Sequence, residues 1–170
     1  KLRVRCTRAA AFGPTFLCSS SLPLSPCVRA DLHTHTTASD GRLSPPGLVE
    51  KAALRGIELL SLTDHDTVAA YPLARIAARR LGVTLLPGVE LSVQVGPRDI
   101  HLLAYGFDLA NAALSTALAE YRAKRIARAD AIVTRLAGLG VRIRFERVQY
   151  HAQGGVLGRP HIAKALLEAG

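Results

Sequence analysis

The chain has 170 residues, with 22 Lys and Arg against 13 Asp and Glu, three Cys and no Met or Trp. That length fits one domain or a piece of a larger one, and a hydrophobic content of 49% excludes a disordered polypeptide because it suffices for a buried core. The longest apolar runs, such as 57–62 and 83–89, fall far short of the roughly 20 residues of a membrane-spanning helix, so a soluble, cytoplasmic protein is expected. The net charge of +9 is unevenly placed: residues 1–30 carry five bases and no acid, 31–119 seven bases and nine acids, and 120–170 ten bases and four acids. Basic surface attracts phosphorylated partners, nucleic acid or anionic lipid without choosing among them.

Residues 1–29 read as a leader, expected to be unstructured. They hold Cys6, Cys18 and Cys27, whose spacings match no zinc or redox pattern and imply free thiols. The basic start and the run Ala9–Cys18 have the outline of a secretory signal, but Gly13-Pro14 interrupts it; an Arg- and Ser-rich, acid-free segment also suits a transit peptide. From Ala30 onward, short β-branched runs alternate with stretches of helical period, the pattern of an α/β fold. Strands are predicted over 28–35, 57–63 and 83–89, with helices over 44–55 and 68–81 between them. Gly96-Pro97-Arg98-Asp99 predicts a hairpin joining 91–95 to 100–105. A long helix follows over 111–139, then a polar Gln- and Gly-containing stretch, then a last helix opened by Arg159-Pro160.

Chemistry-bearing residues gather at the strand ends. His33 and His35 are two apart, so both project to one side of a strand and can converge on one ion. Asp40 follows on the next loop, Asp64-His65-Asp66 ends the second strand, Glu90 the third, and His101 begins the strand after the hairpin. Strand ends are where α/β folds place their sites. Six candidate ligands, His33, His35, Asp40, His65, Glu90 and His101, therefore point to metal binding. Imidazoles with carboxylates suit Zn, Mn or Fe better than Mg or Ca, and six ligands are too many for one tetrahedral ion, so at least two are expected, bridged by Glu90.

These motifs, His33-Thr-His35 with Ser39-Asp40-Gly41, Thr63-Asp64-His65-Asp66, Pro87-Gly88-Val89-Glu90 and Ile100-His101-Leu102-Leu103-Ala104-Tyr105, resemble those of the PHP (polymerase and histidinol phosphatase) family. Gly158-Arg159-Pro160-His161-Ile162-Ala163 resembles a motif of the bacterial branch that hydrolyses nucleoside 3′,5′-bisphosphates and trims short RNA from its 5′ end. The resemblance implies the front part of a distorted seven-stranded (β/α) barrel over 30–110 and a small helical insertion over 111–170. It also implies three further ligands and the closing strands beyond Gly170, in a longer chain. Two or three divalent ions are implied: His33 and His35 would hold one, Glu90 would bridge it to a second held by His101, and Asp40 and His65 would hold a third. The implied activity is hydrolysis of phosphomonoesters of a small nucleotide, or processing of short RNA, by a metal-activated hydroxide. A histidinol-phosphate-type phosphatase and a nucleic-acid-contacting metal module without turnover are the alternatives.

Arg159 is the expected phosphate fork and His161 a phosphate contact or proton donor, against a plainer reading of both as helix capping and packing. Asp64, set against Asp66, is the expected catalytic orienter of His65 or a neighbouring ligand. Arg122, Lys124, Arg125 and Arg128 read first as the solvated face of a helix and second as an electrostatic path for a polyanion. Tyr121, Phe145 and Tyr150 are the aromatic candidates to clamp a base.

Overall fold

A computed structural model describes residues 3–4, 28–96 and 98–170. The three cysteines and most of the leader lie outside the described residues; of its described residues, β1 (Arg3–Val4) pairs antiparallel with the start of β2 (Val28–Thr34). β2, β3 (Leu59–Leu62) and β4 (Thr84–Leu85) run parallel, in the order β1-β2-β3-β4. α1 (Pro45–Leu54) and α2 (Tyr71–Leu81) are the crossovers and pack against each other. β5 (Gly88–Val95) and β6 (Arg98–Tyr105) form the hairpin, with Val95 opposite Arg98. A parallel bridge between His65 and Glu90 ties the hairpin to the end of β3. The class is α/β, as the alternating pattern predicts.

Local chemistry sets the boundaries. Ser44 caps α1, its hydroxyl accepting from the Gly47 amide at 3.3 Å, and two prolines fill the first turn, where no amide is needed. α2 begins at Tyr71 rather than 68, because Pro72 is tolerated only in a first turn; a start at 68 would ask its missing N–H to bond the Val68 carbonyl. The strand expected over 83–89 is broken at Leu86-Pro87 into β4 and β5. Gly88 is required there: a Cβ would lie 2.1 Å from Ser61 Oγ, and Tyr71 OH takes the Gly88 amide at 2.7 Å.

Two cores result. Val49, Ala52, Leu60, Leu62, Tyr71, Ala74, Ala78 and Val83 close the sheet against α1 and α2. A second core joins α3 (Ala112–Gly138), α4 (Phe145–Ala152) and α5 (Arg159–Ala169) through Ala129, Val148, Ala152, Leu157, Ile162 and Ala165. α4 replaces the polar stretch expected between 140 and 158; its signal is the spacing Phe145, Val148, Ala152 on one face. Asn111 caps α3, accepting from the Leu114 amide at 2.9 Å. Among the described residues no helix is long and apolar enough to cross a membrane.

Candidate metal centre

The six expected ligands meet at one rim. β2 and β3 change register between Asp31 and Thr34, an irregularity that re-aims the strand at His33. The loop after β2 then folds tightly, with Thr36 accepting from the amides of Ser39 and Gly41 at 3.1 and 2.9 Å. Gly41 has no alternative, since a Cβ would stand 2.2 Å from the His35 carbonyl oxygen. That turn brings Asp40 back between His35 and His65.

Glu90 is the centre of the cluster. Its Oε1 lies 2.6 Å from His101 Nδ1, while Oε2 lies 3.0 Å from both His33 Nε2 and His35 Nε2 and 3.6 Å from His65 Nδ1. Asp40 divides in the same way, Oδ1 to His35 Nδ1 at 3.3 Å and Oδ2 to His65 Nε2 at 3.5 Å. Three overlapping donor sets result: His33–His35–Glu90, His35–Asp40–His65 and His65–Glu90–His101, each with its ligand atoms within 4.8 Å of one another. His35 and His65 each belong to two sets, an overlap that the one-carboxylate bridge of the sequence reading does not contain.

Whether these residues suit a cation can be tested on their protons. The Ser39 hydroxyl spends its hydrogen on Asp64 at 2.6 Å, so toward His35 Nδ1, at 3.4 Å, it accepts. The proton then sits on His35 Nδ1, and the Nε2 lone pair faces His33 Nε2 at 3.2 Å and the Glu90 carboxylate. The lone pairs of His35 Nε2 and Glu90 Oε2, 3.0 Å apart, repel unless a positive charge lies between them. Ligands around a tetrahedral ion with bonds of about 2.0–2.1 Å are about 3.3 Å apart, close to the spacing found here. His65 Nδ1 is buried without a hydrogen-bond partner, a further donor atom left for a cation. The donor set fits divalent metal.

The electrostatics keep these ligands in their binding forms. His65 holds the Asp40 carboxyl down to about 2 by its hydrogen bond, against the opposing effect of burial. Burial by itself would raise Glu90, but the His33 hydrogen bond and the nearby His65, His35 and His101 hold it below the ordinary carboxylate range. Burial, then His65, pushes His35 below an ordinary histidine, so it stays neutral and free to ligate near neutral pH.

The PHP domain family matches residues 31–166. The chain belongs to the PHP domain family. It is 40% identical over 142 residues to the 5′-3′ exoribonuclease Rnm of Salmonella typhimurium, covering 82% of this chain and 48% of that protein. It is 36% identical over 141 residues to the 3′,5′-nucleoside bisphosphate phosphatase of Chromobacterium violaceum, covering 82% and 50%. A solved Chromobacterium violaceum amidohydrolase with bound sulfate and no metal superposes with a TM-score of 0.75 at 34% identity, over 84% of this chain and 51% of that one. The chain thus spans about half the length of the curated relatives it matches.

Within this PHP domain, the other expected site residues sit around the rim rather than in it. Asp64 is fully buried and accepts from the Thr36 amide and hydroxyl, both at 2.7 Å, and from Ser39. It is buried, and through Ser39 its carboxylate is linked to His35 Nδ1. His161 is buried and its Nδ1 accepts from the Gly158 amide at 3.0 Å, which caps α5 and leaves the proton on Nε2. Burial, then Lys164, lowers its pKa, so it is a neutral donor. Arg159 is exposed and pairs with Asp99 at 2.5 Å.

The solvated-face reading of the basic cluster is corrected for three of its four members. Arg125 is 5% exposed: Nε bonds Asp66 Oδ2 at 2.5 Å, Nη2 bonds Ser92 Oγ at 2.5 Å and Nη1 bonds the Leu157 carbonyl at 3.2 Å. Arg122 reaches the Asp66 carbonyl at 3.1 Å, and Arg128 reaches Asp99 at 3.1 Å. The physical reason is that α3 lies over the hairpin and the His65 loop, whose carboxylates and carbonyls are there to be paired. A signal was present in the sequence: Leu118, Arg125 and Ala129 share the buried face of α3. Lys124, over the Tyr121 ring at 5.6 Å, joins Tyr121, Arg125, Arg128, Asp99 and His101 around a cavity of about 490 Å³. Phe145 packs into the second core instead of facing a ligand, and Tyr150 is exposed beneath Arg147.

Proposed function

We propose that this PHP domain serves a metal-dependent phosphoesterase, releasing phosphate from phosphomonoesters of small nucleotides such as nucleoside 3′,5′-bisphosphates, or acting on 5′ ends of short RNA. The observation that carries this reading is the orientation of Glu90. Its two oxygens face different histidines, as a carboxylate shared between cations requires, beside a cavity lined by cations. Relatives named as an exoribonuclease and a bisphosphate phosphatase support the substrate class.

In this reading His33, His35, Asp40, His65, Glu90 and His101 hold two or three ions of Mn, Zn or Fe. Ions so placed would acidify water near neutral pH and neutralise phosphate oxygens. The remaining work belongs to the chain's own groups. Asp64, through Ser39, keeps the His35 proton on Nδ1 and its lone pair toward the ions. Lys124 and Arg128 present positive charge to an anion in the cavity beside His101, and Arg159, paired with Asp99 at its edge, can join them. His161 Nε2–H is the available donor to a phosphate or leaving oxygen. On this reading residues 111–170 are the helical insertion, which supplies Lys124, Arg128, Arg159 and His161, and 30–110 are the front of the barrel.

Supplying Mn to the full-length protein and measuring phosphate released from 3′-phosphoadenosine 5′-phosphate tests the reading. Turnover that disappears in Glu90→Ala is expected; metal binding without any phosphate release overturns it.

A further inference from the structure

The parallel ladder between β3 and the chain running from β4 into β5 is interrupted at one place. Below it, the Thr84 amide bonds the Glu58 carbonyl at 2.8 Å and the Leu86 amide the Leu60 carbonyl at 2.9 Å; above it, the Glu90 amide reaches the Asp64 carbonyl at 3.3 Å and the Asp66 amide the Glu90 carbonyl at 3.0 Å. Both chains advance two residues per step, so the rungs due in between run from the Leu62 amide to the Leu86 carbonyl and from the Gly88 amide to the Leu62 carbonyl. Those four groups surround a single oxygen instead. The Tyr71 hydroxyl accepts from the Leu62 amide at 3.2 Å and the Gly88 amide at 2.7 Å, and its hydrogen is shared between the carbonyls of Leu62 at 2.9 Å and Leu86 at 2.8 Å. A hydroxyl has one hydrogen and two lone pairs, so this set saturates it. The ring enters from the first residue of α2 and is 2% exposed, which leaves no water to take its place.

We propose that Tyr71 is a positioning residue of the metal centre: its hydroxyl, set into the ladder in place of two direct rungs, is a spacer that fixes how far Glu90 stands from His65. The inference rests on the metal-dependent reading of the rim. Rungs that pass through an oxygen hold two strands farther apart than the about 4.7–4.9 Å of a closed ladder. The Glu90–Asp64 rung just above the hydroxyl is accordingly the longest of the four. His65 and Glu90 are bridged directly above it, with His65 Nδ1 3.6 Å from Glu90 Oε2. Register is the same on both sides of the interruption, so removing the hydroxyl leaves two courses. The strands close into direct rungs and draw Glu90 toward His65, or four buried backbone groups stay unpaired and β5 loosens. Either course displaces Glu90 relative to β3. Two of the three donor sets include Glu90, whereas His35–Asp40–His65 is built on β2, the loop after it and the end of β3, and does not cross the ladder. The hydroxyl therefore acts on the ions that Glu90 shares and not on the other.

The test is manganese titration of the full-length protein followed by electron paramagnetic resonance, where ions joined by one carboxylate give a spin-coupled signal and a lone ion does not. Tyr71→Phe keeps the ring and removes the spacer. Val49→Ala is the control, a fully buried residue of the same core that makes none of these bonds. Tyr71→Phe is expected to bind the coupled ions about tenfold more weakly and to lose their signal at the metal concentration that saturates the unaltered protein, while the remaining ion keeps its affinity. Val49→Ala should lower the melting temperature and change neither. Sucrose in every sample favours the folded state, so a marginal variant is still measured. In metal-free protein the amide resonances of Asp66 and Glu90 should shift in Tyr71→Phe and stay in place in Val49→Ala, a readout that needs neither metal nor turnover. A folded Tyr71→Phe that keeps the coupled signal and its affinity, while melting earlier as Val49→Ala does, overturns the proposal, because the hydroxyl is then a structural tie alone. Shifted amide resonances in a protein that binds no manganese leave the spacer standing and sink the metal-dependent phosphoesterase reading instead.

Discussion

Replacing Arg125 by Met should destabilise the fold far more than a surface substitution would. The guanidinium and its partner Asp66 are 5% and 0% exposed, so both charges were taken out of water on folding. Met keeps the packed stem but removes every donor. Asp66 Oδ1 still accepts the Ser92 amide at 2.9 Å, but Oδ2 loses the guanidinium that held it, and the Leu157 carbonyl and Ser92 hydroxyl lose their bonds to it. A buried carboxylate stripped of its cation costs about 3–5 kcal/mol. Against a total stability of about 5–15 kcal/mol that is a third or more for a marginal domain. Urea unfolding followed by far-ultraviolet circular dichroism measures it. Neutralising the orphan in Arg125→Met/Asp66→Asn should recover more than half the loss; Asn also tolerates the left-handed backbone at residue 66, where φ is 51°. A loss below about 1 kcal/mol in the single variant, or a double variant no more stable than it, would refute the reasoning.

Glu90→Gln should reduce bound metal by at least one ion per chain, read by elemental analysis after gel filtration, because an amide cannot serve two cations as a carboxylate does; unchanged stoichiometry removes Glu90 as a bridge. Gly88→Ala should cost about 1–3 kcal/mol and disturb Glu90 two residues on, since its Cβ would meet Ser61 Oγ at 2.1 Å; Ser61→Ala in the same chain should return part of that stability, and no rescue would show that the clash is relieved elsewhere. Metal-free protein should lose thermal stability as pH falls. His35 and His161 are held below the ordinary 6.5, so the folded state binds fewer protons than the unfolded one, and their contribution is present above about 6.5 and lost on acidification. Asp40, lowered from 3.8 to about 2, adds a second loss as pH falls through that interval. A melting temperature that rises as pH falls from 7.5 to 5 would contradict the histidine sign, and one that rises from pH 4 to pH 2 the Asp40 sign.

The sequence by itself determined the α/β class and the six rim donors, because each motif is local: a His, Asp or Glu at a strand end is placed by two or three residues of backbone around it. His33 and His35 needed only strand alternation to converge, whereas the tight approaches at Gly41 and Gly88 that aim Asp40 and Glu90 appear only in the structure. What α3 does was decided by the tertiary structure. Arg125 meets Asp66 across 59 residues and Arg159 meets Asp99 across 60, and no periodicity says which carboxylate a helix will lie over. Asp64 was legible as an orienting carboxylate, but the same distance hid which groups it touches: Thr36, 28 residues away, and Ser39, 25 residues away, which faces His35. Local spacing places a side chain on a face; only packing brings two faces together, and there the buried charges found their partners.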